Sequence, residues 1–196
     1  MTAPTFRLAS VNVSLAQPLQ IGDRTVMSGI GKRAVTGPVA VRPLGLEGDE
    51  QADLSVHGGL AKAVYAYSLV HYPVWQTLRA QAGVAAWGTA LAPGAMGENL
   101  SFEAGPLEKD VWVGDVLRFE HCQLIVSEPR FPCFKFNAAM GFNKAAKLMA
   151  QSGYCGFYLA VKQPGPLQAG DAFELLPGPR ELSIMELFRT KAHRIT

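Results

Sequence analysis

One cysteine, Cys133, lies in a proline-containing stretch whose residues favour a reactive or metal-binding thiol. Residues 127–135 read Ser-Glu-Pro-Arg-Phe-Pro-Cys-Phe-Lys, and two prolines cannot continue a central strand, so a rigid loop is predicted. Cys133 lies between Arg130 and Lys135 in this loop. Nearby cations stabilise a thiolate, which is the form of cysteine that attacks electrophiles and binds metals. Cys133 is therefore a candidate nucleophile or metal ligand, and an inert surface thiol is the alternative.

The other two cysteines have surroundings typical of buried structure. Cys122 falls within an apolar strand pattern and Cys155 at the entry to a predicted strand, where a small thiol packs like any apolar side chain. Three cysteines without a C-x-x-C pair indicate neither a disulfide framework nor a zinc ribbon. Any cysteine chemistry must then use a single thiol.

A polar segment earlier in the chain predicts an anion-binding loop. Residues 45–53 are rich in glycine and acidic side chains, and they lead to His57, a Gly-Gly pair and Lys62. Paired glycines allow backbone N–H groups to approach an anion, and Lys62 could supply the countercharge. A plain turn, in which His57 satisfies a backbone carbonyl, is the alternative.

Two shorter glycine motifs also carry polar groups. The sequence Gly-Glu-Asn-Leu at 97–100 lies at a strand start, where Glu98 or Asn99 is either a turn residue or a ligand-binding group. The sequence Gly-Ile-Gly-Lys at 29–32 is similar to part of a phosphate loop. A P-loop is nevertheless excluded, because the full Walker spacing and its Ser or Thr are missing.

Two kinds of hydrolysis are disfavoured by the residues present. A Cys133–His57 pair lacks an identifiable third group to orient the histidine. The four histidines are scattered and show no spacing typical of a zinc site.

The elements that must position these residues are mostly short strands. The 20 glycines and 13 prolines punctuate the chain at short intervals, which favours short strands over long helices. Strands are predicted at residues 7–14, 38–41, 111–113, 116–119, 124–126, 157–161 and 173–176, and helices at 68–78, 143–151 and 181–194. Residues 63–67 form a short apolar run before the first of these helices. The absence of regular βαβ alternation predicts a mostly β protein, a closed or partly closed barrel decorated by helices. Whether the last helix packs on the barrel or on a partner is left open.

Length and composition restrict the class of protein further. With 196 residues, 48% of them hydrophobic, the chain has room for one core, and one domain is expected. A formal charge of +2 with no block of Lys or Arg argues against binding to duplex nucleic acid. No apolar run approaches the roughly 18 residues that a membrane span requires. The first residues also lack a signal-peptide pattern, so a cytoplasmic protein is expected.

Three motifs in order resemble the MOSC domains, which are related to the C-terminal part of molybdenum cofactor sulfurase. They are residues 45–49 continuing to 57–67, then 97–100, then 129–135. The resemblance extends from about residue 8 to residue 176 and is closest to the stand-alone bacterial branch typified by the YiiM and YuaD proteins. It implies a β-barrel of strongly twisted strands decorated by a few helices. We expect a single MOSC domain over residues 1–180 and a C-terminal helical segment at 181–196.

The resemblance also implies an activity. Members of the family with known activity are small oxidoreductases that reduce N-hydroxylated compounds, including hydroxylamino purine bases, on a pterin-bound molybdenum. The implied cofactor is the molybdenum cofactor, molybdopterin. A separate electron-transfer reductase of the flavoprotein type is the implied partner, since the sequence shows no flavin or iron–sulfur motif of its own. The family is further associated with pyridoxal phosphate binding and with detoxification.

Residue by residue, the family's Pro-Cys-x-Lys motif falls on Cys133, which would be the catalytic thiolate ligand of molybdenum. A soft thiolate suits this metal. Residues that could hold the pterin and its phosphate are cations and hydrogen-bond donors: Lys32, His57, Lys62, Asn99, Ser127, Arg130 and Lys135. Two alternatives stay open, a sulfur or cofactor carrier with a persulfide on Cys133, and a metal-free anion-binding module around His57, Lys62 and Arg130.

Overall fold

The computed structural model describes residues 4–52 and 58–192 and consists mainly of short strands. In chain order the strands are β1 (Thr5–Val13), β2 (Gln17–Ile21), β3 (Arg24–Ser28), β4 (Arg33–Ala34), β5 (Val39–Arg42), β6 (Gly45–Leu46), β7 (Val64–Ser68), β8 (Leu100–Phe102), β9 (Val116–Arg118), β10 (Gln123–Pro129), β11 (Phe157–Gln163), β12 (Gly165–Leu167) and β13 (Ala172–Leu176). The helices are α1 (Tyr72–Gln81), α2 (Phe134–Met140), α3 (Ala145–Ser152) and α4 (Ile184–Ala192).

Seven of these strands close into a barrel. Their order is β13-β9-β10-β11-β7-β8-β1, and β1 returns to β13 with Phe6 opposite Phe173. All of the pairings around the barrel are antiparallel except that of β7 with β8, where Ala66 lies opposite Leu100. Closure leaves each of the seven strands with a neighbour on both sides, which removes exposed edges. The prediction of a β-barrel decorated by a few helices is confirmed.

The barrel interior is filled by apolar side chains from strands that lie far apart in the sequence. Leu8, Leu100 and Phe102 are fully buried. The ring of Phe173 lies 4.9 Å from the rings of both Phe102 and Phe119, between ring centroids. Burial of side chains of this size contributes about 1.5–3 kcal/mol each.

The predicted helices form at the expected places. The Ser68 hydroxyl accepts a hydrogen bond from the backbone N–H of Val70, at 3.4 Å, and so caps the short turn before α1. Helix α3 ends at Gly153, whose positive φ of 74° suits a residue without a side chain. Helix α4 packs on its own barrel, since Phe188 is fully buried and its ring stacks on that of Phe131 at 5.1 Å.

Two local predictions were wrong. Residues 111–113 form no strand, because the backbone N–H of Trp112 donates to the carboxylate of Asp115 and Val113 N–H donates to the carbonyl of Leu182. The predicted loop at 127–135 is shorter than expected: β10 continues to Pro129 and α2 begins at Phe134. Proline is tolerated at the end of a strand, where its missing N–H costs little.

The division of the chain at residue 180 stays a prediction, and His57 lies outside the described residues. Among the helices that the structure describes, none has the length and apolar character needed to cross a membrane.

Candidate functional site

One pocket collects most of the predicted site residues. It is lined by residues 28–30 and 32, by residues 49–52, by residues 62, 63 and 65, by residues 97 and 99, by residues 130, 133 and 135, and by Tyr158 of β11. Six of the eight candidates line it: Lys32, Lys62, Asn99, Arg130, Cys133 and Lys135. Ser127 is not brought to this pocket, because it precedes the loop on β10 and its hydroxyl donates to the carbonyl of Ala61. These pocket residues are called the candidate site below.

Arg130 places a buried positive charge beside the pocket. Its side chain is 6% exposed, and its guanidinium carbon lies 5.2 Å from the ring centre of Tyr65 and 4.9 Å from that of Phe136. Within the described part of the chain, no carboxylate forms an ion pair with it. Because aromatic faces offset only part of the cost of burying a cation, this arrangement favours a bound anion.

The backbone of Arg130 is supported by a buried carboxylate outside the pocket. Glu108 accepts a hydrogen bond from the N–H of Gly156 at 2.8 Å, and its other oxygen contacts His71 Nε2 at 2.9 Å. The carbonyl of Gly156 in turn accepts from the N–H of Arg130 at 3.5 Å. The loop that carries Arg130 and Cys133 is thus linked through Gly156 to the buried Glu108–His71 pair.

Two tyrosines form an aromatic wall of the pocket. The rings of Tyr65 and Tyr158 lie 5.4 Å apart, and the ammonium of Lys62 lies 5.9 Å from the ring centre of Tyr158. The Tyr65 hydroxyl donates to the carbonyl of Cys155 at 2.8 Å, which fixes the ring. Burial raises the pKa of Tyr158, and the Arg130 guanidinium opposes this rise only in part. Burial also raises the pKa of Tyr65, so both phenols stay neutral near pH 7.

Lys32 differs from Arg130 because it forms an ion pair with a carboxylate of the protein. Its ammonium is paired with Asp49, and the two side chains are only 8% and 5% exposed. Asp49 also accepts hydrogen bonds of 2.9 Å from the N–H of Ser14 and from the side-chain amide of Asn99. Burial lowers the pKa of Lys32 and the charge of Asp49 opposes the change. Lys32 consequently offers less net charge to a phosphate than Arg130 does.

The residue before Asn99 anchors this part of the pocket. Glu98 is fully buried, and its carboxylate accepts hydrogen bonds from the Tyr72 hydroxyl at 2.5 Å and from the Ser101 hydroxyl at 2.7 Å. The backbone N–H groups of Gly94 and Met96 also donate to it, at 2.8 and 3.0 Å. Glu98 is therefore a structural hub rather than a ligand-binding group, which decides between the two roles left open by the sequence.

Cys133 is the half-buried thiol of the chain and lines the pocket just before α2. Cys122 and Cys155 are buried, as expected, and burial raises the pKa of Cys122 to about 12. No group of three or more His, Cys, Asp or Glu side chains suited to a metal ion occurs among the described residues. A metal here would need most of its ligands from a cofactor.

Sequence reasoning did not single out Asp49, Tyr65 and Tyr158, although all three line the pocket. Asp49 lay within the polar segment 45–53, and its value as a site residue becomes visible only through its contacts with Lys32 and Asn99. The two tyrosines lie in buried strands, where an aromatic residue is normally taken as part of the core.

Comparison with known proteins identifies the family. A family model for the MOSC domain matches residues 53–174, which is more than half of the chain. The protein therefore belongs to the MOSC domain family.

Its relatives include two bacterial proteins. YflK of Bacillus subtilis is 34% identical over 98% of this chain and 84% of its own length. YiiM of Escherichia coli is 37% identical over 81% of this chain and 68% of its own. The crystal structure of YiiM from Geobacillus stearothermophilus superposes with a TM-score of 0.74 and 31% identity, covering 97% of this chain and 85% of that one. A Gibberella moniliformis protein named "Reductase" is 34% identical over 79% of this chain, but the match covers 26% of the fungal protein.

Proposed function

We propose that the protein is a molybdenum-cofactor-dependent oxidoreductase that reduces N-hydroxylated compounds, such as hydroxylamino purine bases. A separate flavoprotein-type reductase supplies the electrons. The observation that carries the proposal is the buried cation Arg130, without an ion pair among the described residues, in the same pocket as the half-buried thiol of Cys133. An anionic cofactor that carries a thiophilic metal matches both groups.

The residues present fit such a cofactor. Cys133 would supply one thiolate to the metal, and Arg130, Lys62 and Lys135 would hold the anionic parts of the pterin. Asn99 is already engaged with Asp49 and the carbonyl of Asn12, so it orients the pocket wall. When bound, the cofactor would supply a metal that cycles between Mo(VI) and Mo(IV).

The chemistry needs two electrons and two protons: the N–O bond breaks, an N–H bond forms and water leaves. The buried phenol of Tyr158 and the aromatic face of Tyr65 would exclude bulk water and accommodate a flat base. Family membership and the name of the fungal relative support an oxidoreductase. Pyridoxal phosphate binding, detoxification and a cytoplasmic location stay predictions.

The first experiment measures bound molybdenum and pterin. Wild-type protein, Cys133→Ala and Cys122→Ala are purified from a host that makes the cofactor and assayed by elemental analysis and pterin fluorescence. We expect near-stoichiometric molybdenum in the wild type and in Cys122→Ala, a matched loss of a thiol that does not line the pocket. Cys133→Ala should lose the metal. A folded wild type without metal or pterin would contradict the proposal.

The second experiment tests the substrate class. Cofactor-loaded wild type should reduce an N-hydroxylated purine or an amidoxime with an artificial electron donor, and Cys133→Ala should not. Failure of the loaded protein with all such substrates would exclude the reductase activity. A sulfur adduct on Cys133, seen by mass spectrometry in metal-free protein, would instead favour a sulfur carrier.

A further inference from the structure

A second cavity adjoins the candidate site and has no part in the proposed function. It lies between the β2–β3 hairpin, residues 30–33, helices α1 and α2, and the loop at 91–95. The hairpin strands pair with each other in a sheet separate from the barrel. The ammonium of Lys135, at the start of α2, donates to the carbonyl of Met27 in this hairpin at 2.9 Å. The hairpin is thus held as an outer wall of the cavity.

The charged lining of this cavity is entirely basic. Arg33, Arg79 and Lys32 contribute to it, and no carboxylate of the described residues does. Lys32 is paired with Asp49 on the side of the candidate site, whereas neither arginine forms an ion pair with a described carboxylate. Two guanidinium groups without acidic partners are well suited to a phosphate, because their planar N–H groups bind its oxygens in pairs.

The geometry of Arg79 supports this role. Its Nε donates to the carbonyl of Met140 at 3.1 Å, which fixes the guanidinium against the C-terminal end of α2. A guanidinium held in this way loses less side-chain entropy when it binds an anion. The remaining lining includes aliphatic Leu19, Leu91 and Met140. An occupant should therefore combine a phosphate with an apolar body.

The wall shared by the two cavities is fixed in place. Ser28, Ile30 and Lys32 line both. A Cβ at Gly94 would lie 2.7 Å from the carbonyl oxygen of Lys32, and one at Gly97 would lie 2.8 Å from Cγ1 of Ile30. Such close approach requires glycine, and it leaves the wall little freedom to move.

We propose that this cavity is a second binding site, which takes an organic phosphate. The phosphate binds Arg33 and Arg79, and the body of the ligand packs against Leu19 and Leu91. This site is independent of the cofactor proposed above, and its failure would leave that proposal intact.

The test is titration calorimetry of the full chain with AMP and, separately, with adenosine. AMP should bind at least about tenfold more tightly than adenosine, because its phosphate can form charge-assisted hydrogen bonds with the two guanidinium groups. Arg33→Ala and Arg79→Gln should each remove most of this preference. Ala139→Phe, which fills the cavity and keeps both arginines, should weaken AMP binding by a similar factor.

Two control variants locate the bound AMP. Arg24→Ala removes one exposed charge from the same hairpin, at a position that lines neither cavity, and should not change the affinity. Lys62→Ala alters only the candidate site and should also leave AMP binding unchanged. Equal affinities for AMP and adenosine would overturn the proposal. The proposal would also be overturned if Arg24→Ala weakened AMP binding as much as Arg33→Ala does. The same holds if Lys62→Ala abolished AMP binding while Ala139→Phe left it unchanged.

Discussion

The side-chain amide of Asn99 donates a hydrogen bond of 2.9 Å to the carboxylate of Asp49, across 50 positions of sequence. Through this contact the Gly-Asp segment and the Gly-Glu-Asn segment become one wall of the candidate site. The Lys32 ammonium binds the other oxygen of the same carboxylate. Asp49 therefore organises two of the predicted site residues, although its own charge is unsuited to holding an anionic ligand.

Replacement of Asp49 by Asn should strongly destabilise the protein. The change leaves the Lys32 ammonium buried without a partner, and breaking a buried ion pair from one side costs about 3–5 kcal/mol. Urea unfolding of the purified variant measures the loss in free energy of unfolding. The double variant Lys32→Met/Asp49→Asn should lose less than the sum of the two single variants.

The matched control for this prediction is Asp23→Asn, an exposed aspartate in the turn between β2 and β3. It should change the free energy of unfolding by less than about 0.5 kcal/mol. If Asp49→Asn were as mild as the control, the Lys32–Asp49 contact would carry no stability.

Replacement of Arg130 by Met should separate function from stability. A buried cation without an ion pair is costly in the ligand-free protein, and an apolar side chain of similar length removes that cost. We expect cofactor-free Arg130→Met to be at least as stable as the wild type in urea. Its free energy of unfolding should exceed the wild-type value by no more than about 2 kcal/mol. Purified from a host that makes the cofactor, the same variant should nevertheless contain at least about tenfold less pterin than the wild type, because a charge-assisted hydrogen bond is lost.

Arg118→Met, at an exposed arginine of β9, is the control for the loss of one positive charge and should keep its pterin. Arg130→Met with less stability than the wild type would instead assign Arg130 a structural role through its contacts with Tyr65 and Phe136.

The sequence was sufficient for most of the barrel but not for its irregular parts. Alternating or β-branched stretches correctly predicted β1, β5 and β11, and Gly153 correctly ended α3. Helix α2 was missed because two prolines precede it and seven residues give little periodicity. The segment at 111–113 was assigned wrongly because its β-type residues pair with residues before α4, a contact that local pattern cannot reveal.

The residues of the candidate site that lie in a recognisable sequence motif could be predicted. Cys133 and Arg130 follow from local charge and a rigid loop, and both line the pocket. The local motif left Asn99 open between a turn residue and a ligand-binding group, and Lys32 became a candidate only through the family resemblance. Tyr65 and Tyr158 were not recognised, because the local sequence around a buried tyrosine in a strand does not show whether the ring lines a pocket or packs in the core.

The stability contribution of Glu98 should depend on pH in a defined direction. Burial raises the pKa of Glu98 from 4.5, and the hydrogen bond from Tyr72 opposes this rise. A carboxyl group with a raised pKa in the folded state contributes stability that is fully present below its unfolded-state pKa and lost as pH rises through its folded-state pKa. The advantage of wild type over Glu98→Gln should therefore grow as the pH is lowered from 8 towards 4.5.

Urea unfolding of both proteins across this pH range measures the difference. Glu120→Gln, at an exposed carboxylate, reports the effect of removing a surface charge. The prediction would be contradicted if the difference in free energy of unfolding between wild type and Glu98→Gln stayed constant or shrank as the pH is lowered. That result would mean that the four hydrogen-bond donors around Glu98 lower its pKa more than burial raises it.

The three cysteines should differ sharply in their reactivity toward iodoacetamide at pH 8. Cys133 is half-buried and lines the pocket, whereas Cys122 and Cys155 are 1% and 0% exposed. Burial raises the pKa of Cys122 to about 12 and also raises that of Cys155, so that few of these thiols are thiolates at pH 8, and the thiolate is the reactive form. Mass spectrometry of the native protein should show a single adduct, on Cys133, and none in Cys133→Ala. All three thiols should react in urea, and equal labelling of Cys122 in the native state would contradict its place in the core.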